Sequence, residues 1–236
     1  KHRKMYIQSN QLLPIKPIGP TQKKVFEAWN ADKNLFLTGS AGTGKTFVLL
    51  YLALKDVLDK GTPFEKVVLV RSLLPSRDIG FLPGTLDEKS NLYQDPYRIL
   101  IKYLFEMPSE QAFTDLYDKL HAQGSLEFYS TSFLRGQTFD RAIILVDEAQ
   151  NMLFQELDTI ITRVGQNSKI LFAGDAAQTD LRKNNGDRSG YHNFMAILDD
   201  MSEFDVIEFG FGDIIRSGMV RSYLIAKHNI GLKSDG

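Results

Sequence analysis

The chain has 236 residues, 43% hydrophobic and 24% charged, with a formal net charge of −1, which suits one large domain or two small ones. It has no cysteine and only four histidines, which excludes disulfides and thiolate metal sites, argues against a zinc centre and fits a reducing compartment. No apolar run is long enough to cross a bilayer, so no membrane partner is expected; near-neutral charge leaves any polyanion to be gripped in a local groove.

The opening Lys1-His2-Arg3-Lys4 is basic but leads into no apolar signal core, so a cytoplasmic chain is expected. Residues 1–20 contain Pro14, Pro17 and Pro20 and read as an irregular N-terminal extension. Thr21 reads as the N-cap of a helix through Trp29, with Val25, Phe26 and Trp29 on one face. Strands are expected at Leu35–Thr38, Lys66–Arg71, Leu126–Tyr129, Ala142–Asp147, Lys169–Ala173 and Val206–Phe209. Helical patterns separate them at Lys45–Leu58, Leu86–Phe105, Glu110–His121, Phe154–Val164, Tyr191–Met201 and Ile215–Ile230. Short apolar strands alternating with helices predict a buried, mostly parallel sheet with helices on both faces, and ligands beyond the carboxyl ends of the strands. No linker breaks the alternation, so residues 21–236 read as a single domain.

Two motifs fall at those strand ends. The first is Gly39-Ser40-Ala41-Gly42-Thr43-Gly44-Lys45-Thr46, a phosphate-binding loop pattern placed between a strand and a helix. Its glycines permit backbone conformations that turn successive N–H groups toward phosphate oxygens, and the following helix adds the positive end of its dipole. Lys45 would bring a charge to the β- and γ-phosphates, and the Thr46 hydroxyl would join a Mg²⁺ shell. Gly-Lys-Thr also occurs in ordinary surface turns, but the complete octapeptide in this setting favours a nucleoside triphosphate.

The second motif is Ala142–Val146 followed by Asp147 and Glu148. Five apolar residues ending in two acids have the form of a Walker B element. Asp147 would hold Mg²⁺ through its water shell and Glu148 would orient the attacking water, the two side chains pointing to opposite sides of an extended backbone. One whole strand–helix unit fits between the motifs, and a glutamate follows the aspartate. These features mark the RecA-like branch of P-loop NTPases; no Asn-Lys-x-Asp guanine-reading element occurs, so adenine is the expected base. Gln178 follows the strand ending in Gly174-Asp175, where a polar residue can contact the γ-phosphate or the lytic water. Arg216 stands near the start of the last helix. It can neutralise charge on the transferring phosphoryl group, in cis or from a neighbouring subunit, or it can simply pair with Asp213.

The ordered set GPTQKKVFEA, LTGSAGTGKT, IGFLPGTLDEK, FLRGQTF, LVDEAQN, GDAAQTDL and the Arg216 region resembles the PhoH family of ATPases, relatives of superfamily 1 helicases. The likeness covers about residues 18–228, and the length resembles the short forms carried by phages and bacteria. It implies a three-layer RecA-like P-loop NTPase that binds ATP and Mg²⁺. By the same resemblance Gln22, which taken alone reads as a capping or surface residue, grips the adenine edge, Gln178 is a sensor and Arg216 a finger. Arg71 and Arg135 match basic positions on the face that meets nucleic acid in helicase relatives, and both can equally be internal ion-pair partners. Two departures stand out: Arg71 is followed by Ser72 where the family has proline, and Arg216 by Ser217 where it has histidine. The expected activity is ATP hydrolysis by a homo-oligomer, a hexameric ring, acting on single-stranded RNA or DNA in the cytoplasm (that of the host, if a phage encodes it). A nucleotide-dependent assembly module and a ribonuclease are the alternatives.

Overall fold

The apolar runs Leu35–Leu37, Ala142–Val146 and Ile170–Ala173 are all fully buried and lie in interior strands. In the computed structural model, which describes residues 7–72, 86–176, 190–215 and 218–230, six strands form one sheet. They are β1 (Asn34–Gly39), β2 (Lys66–Arg71), β3 (Leu126–Ser130), β4 (Ala142–Val146), β5 (Lys169–Ala173) and β6 (Phe204–Phe209). The described helices of two turns or more are α1 (Gly19–Asn30), α2 (Lys45–Val57), α3 (Leu86–Phe105), α4 (Glu110–Ala122), α5 (Phe154–Ile161), α6 (Gly190–Asp199) and α7 (Gly218–Asn229).

The strand order is β3-β2-β4-β5-β1-β6 and every pairing is parallel. Leu35 pairs with Leu171 and Leu145 with the same Leu171, so β5 lies between the glycine-loop strand β1 and the acid-bearing strand β4. This is the α/β arrangement of the RecA-like class. Parallel pairing brings the carboxyl ends of β1, β4 and β5 to one rim, and both motifs leave from it.

Alternation along the strands divides the core in two. Leu35, Leu37, Ile143, Leu145 and Leu171 face a layer built from α1 to α4. Phe36, Ile144, Val146, Ile170 and Phe172 face α5 and α6. On that second face Phe36 and Phe172 stack with ring centroids 5.6 Å apart, and Phe194 of α6 meets Phe172 edge-on at 5.1 Å. Truncating a fully buried phenylalanine such as Phe36 to alanine costs about 3–5 kcal/mol in a core of this kind. No described helix is long and apolar enough to cross a membrane.

Several boundaries differ from the sequence expectation, each for a local reason. Helix α1 begins at Gly19, so Thr21 lies inside it and the N-cap is Ile18. Pro20 in the first turn has no N–H to leave orphaned and starts the helix earlier. Helix α5 stops at Ile161 because the next residues turn to Phe139, whose N–H bonds the Arg163 carbonyl at 2.9 Å. The last helix starts at Gly218 rather than Ile215, whose N–H is spent on the Gly42 carbonyl at 3.1 Å. Part of the proline-containing lead-in is tied down: Ile7 and Leu12 are buried, and Ser9 and Leu13 donate to the carbonyls of Leu58 and Leu104.

Candidate nucleotide-binding site

The glycine loop leaves β1 in a tight S-shaped path. Gly39 has φ +113°, and a Cβ there would stand 2.0 Å from the Phe209 carbonyl oxygen at the end of β6. Only a residue without a side chain lets β1 approach β6 this closely while Ser40 N–H bonds the same oxygen at 2.9 Å. Gly44 has φ +80° and stands at the N-cap of α2, where a Cβ would meet Ile215 at 3.0 Å and come within 3.8 Å of the Gln22 amide nitrogen. Side chains therefore crowd the outside of the loop, and its inner face opens on a cleft of about 210 Å³ bounded by Gly42–Phe47, the two acids and Asp175.

Lys45, the first residue of α2, is 5% exposed. Its ammonium donates to the Ser40 carbonyl at 2.6 Å and to Thr43 Oγ1 at 3.2 Å, and it pairs with Asp175 Oδ1 at 2.8 Å. The loop's cation is thus matched by a carboxylate from the end of β5. Across the cleft, Thr46 Oγ1 donates to Asp147 Oδ1 at 2.8 Å. The second oxygen of Asp147 accepts from the Tyr97 hydroxyl of α3 at 2.7 Å. Burial, and then the Asp147 charge, push the Tyr97 phenol well above its ordinary pKa, so it stays a donor.

Glu148 departs from the extended backbone expected of it. Its φ of 55° and ψ of 38° are left-handed, which turns the chain sharply after β4 and brings both acids into one cleft. Gln150 and Asn151 donate to Glu148 Oε2 at 2.9 and 3.2 Å. Desolvation, followed by the neighbouring Asp147 charge, raises the Glu148 pKa above the usual carboxylate value, while Arg71 opposes the rise. Gln150 also accepts the Asp175 N–H at 3.0 Å, so one amide side chain links the ends of β4 and β5.

The structure brings Gly42, Thr43, Gly44, Lys45, Thr46, Asp147 and Glu148 together around the cleft; Gly39, Ser40 and Ala41 form the approach to it. Gln22 is buried beside the loop, its Oε1 accepting the Ile18 N–H at 2.8 Å and its nitrogen turned toward Gly44. Arg71 is half-buried at the end of β2 and acts electrostatically on Glu148 and Tyr97, which ties it to the acids. Arg135 is exposed on the connection between β3 and β4, away from the cleft's lining. Gln178 and Arg216 lie outside the described residues; Asp213, the alternative partner considered for Arg216, accepts the Gly210 N–H at 2.8 Å. Tyr97, Gln150, Asn151 and Asp175 are the members to which sequence reasoning gave no role. Gln150 stands two residues after Glu148 and had a positional signal; Tyr97, fifty residues from Asp147, had none.

A loop whose glycines exclude side chains from its inner face, a buried cation at its end and two acids opposite suit the phosphates of a nucleotide. With β5 interposed between the two motif strands, the fold and site together define a P-loop NTPase. The sequence profile of the family described as PhoH-like protein matches residues 14–227, and the chain belongs to that family. A PhoH-like protein of Mycobacterium leprae is 32% identical over 225 residues, covering 92% of this chain and 61% of the relative. A PhoH-like protein of Mycobacterium bovis is 34% identical over 208 residues, covering 87% and 56%. The chain therefore spans about six-tenths of the length of these curated relatives. Among solved structures, the Hef helicase domain of Pyrococcus furiosus superposes with a TM-score of 0.46 and 10% identity, over 83% of this chain and 40% of that one.

Proposed function

We propose that the chain is an ATP hydrolase whose single RecA-like domain, residues 21–236, works as part of a homo-oligomer on single-stranded RNA or DNA in the cytoplasm. The observation that carries the hydrolase reading is the 2.8 Å contact between Thr46 and Asp147 at the foot of the glycine loop, with Glu148 in the same cleft. Thr46 and Asp147 are the residues that would hold Mg²⁺, which supplies charge neutralisation to the β- and γ-phosphates. The loop amides and Lys45 bind the phosphate chain, and Asp175 gives up its place on Lys45 as they do so. Glu148, held by Gln150 and Asn151, orients a water for attack and takes up its proton. Gln22 reads the adenine edge through its amide, and Gln178 and Arg216 respond to loss of the γ-phosphate. In this reading a second copy of the chain, in a ring of six, supplies the facing half of the closing cleft. Arg71 and Arg135 belong to the strand-binding face in this reading.

The test is ATPase kinetics on the chain with and without single-stranded RNA or DNA, alongside Glu148→Gln. The variant is expected to bind ATP normally while turnover falls by about a hundredfold or more, as for loss of a group that acts in the transition state. Single strands are expected to raise the rate of the unaltered chain. Unchanged turnover in the variant overturns the role given to Glu148. Hydrolysis indifferent to nucleic acid would leave a nucleotide-dependent assembly module in place of a motor.

A further inference from the structure

Resting on the nucleotide-site reading above, we propose that Tyr97 is a positioning residue for Asp147, fixing the plane of that carboxylate so that it presents one defined edge to the magnesium shell. Asp147 is 9% exposed and Tyr97 2%. Thr46 holds one carboxylate oxygen at 2.8 Å and Tyr97 the other at 2.7 Å. A carboxylate gripped at one oxygen still rotates about its Cβ–Cγ bond. Donors on both oxygens, one from α2 and one from α3, remove that freedom and leave the remaining lone pairs in fixed directions. The ring of Tyr97 already has its packing: it lies 6.2 Å from the Phe128 ring, within the core formed by α1 to α4. A phenylalanine would fill that space equally well, so the hydroxyl is there for the acid. One turn further along α3, Leu100 lines the same cleft, so the helix runs past the corner where the metal would sit. Partners of this outer kind typically govern metal affinity by 10–100-fold.

The test is a Mg²⁺ titration of the full chain and of Tyr97→Phe, read in two ways: ATPase rate, and the thermal shift that Mg²⁺ adds in the presence of ADP. Tyr97→Phe is expected to raise the half-saturating Mg²⁺ about tenfold in both readouts. Metal-free ADP binding, and KM for ATP at saturating Mg²⁺, should stay within about twofold of the unaltered chain. Phe128→Leu, which loosens the same packing but keeps the hydroxyl, should lower the melting temperature and leave the Mg²⁺ requirement unchanged. A Tyr97→Phe requirement within about twofold of the unaltered value overturns the inference, and so does a Phe128→Leu increase as large as that of Tyr97→Phe. Thr46→Ala separates the two levels of the argument. If it too leaves the Mg²⁺ requirement unchanged, the nucleotide-site reading fails; if it raises the requirement while Tyr97→Phe does not, only the role of Tyr97 fails.

Discussion

At the scale of a single side chain, the Lys45 ammonium is shared between a loop carbonyl, Thr43 and Asp175. A phosphate chain entering the loop competes with a carboxylate that is itself 42% exposed. An ion pair open to solvent to that degree contributes about 0.2–1 kcal/mol. Asp175→Asn is therefore expected to tighten ADP binding about two- to fivefold, measured by calorimetry, with the gain shrinking as salt is raised. Weaker binding in the variant would show that Asp175 assists the nucleotide instead. The loop and the two acids were legible in the sequence because each motif is contiguous, and its chemistry depends on residue type at fixed spacing. Tyr97 was illegible because its partner is remote along the chain, and as a buried aromatic on a helix it resembles any core residue. The left-handed turn at Glu148 was also hidden, since nothing in Asp-Glu-Ala-Gln announces a positive φ.

Between elements, the glycine loop depends on how closely β1 and β6 approach. Gly39→Ala would drive a methyl to 2.0 Å from the Phe209 carbonyl at a φ that L-residues avoid. A loss of about 2–5 kcal/mol in unfolding free energy is expected from strain plus overpacking, read by urea denaturation. A second junction lies at the opposite ends of the strands. The Trp29 indole of α1 donates to Asp56 of α2 at 3.1 Å, and the Lys169 ammonium of β5 stands 4.3 Å over the same indole. Desolvation raises the Asp56 pKa above its ordinary 3.8, outweighing the lowering from Trp29 and Lys169. The folded chain therefore holds that proton more tightly than the unfolded one, and this contribution to stability is lost as pH rises from about 4 through the folded pKa. Asp56→Asn is expected to be more stable than the unaltered chain at pH 7 and to lose that advantage near pH 3, measured by urea midpoints. An advantage that does not change with pH would sink the assignment. Helix existence was readable from apolar periodicity throughout. The ends were not, because Ile215 and Val164 are claimed by partners distant in sequence, Gly42 and Phe139.

At the level of the whole molecule, the alternation of strands and helices announced a parallel sheet, but the one strand–helix unit expected between the motifs is an undercount, since α2, β2, α3, α4 and β3 all lie between β1 and β4. The order β3-β2-β4-β5-β1-β6 was not written in any one segment. It follows from which apolar faces match once right-handed crossovers are imposed. Because every pairing is parallel, the molecule has two unlike ends. One rim gathers the glycine loop, the paired acids and Asp175. The other carries short connections such as Asp59–Gly61, whose residues are exposed and whose turn is closed by Asp59 accepting the Gly61 N–H at 2.8 Å. A fluorophore or an affinity handle grafted at Lys60 would sit a full strand length from the chemistry, and so could report on assembly or strand engagement without disturbing turnover.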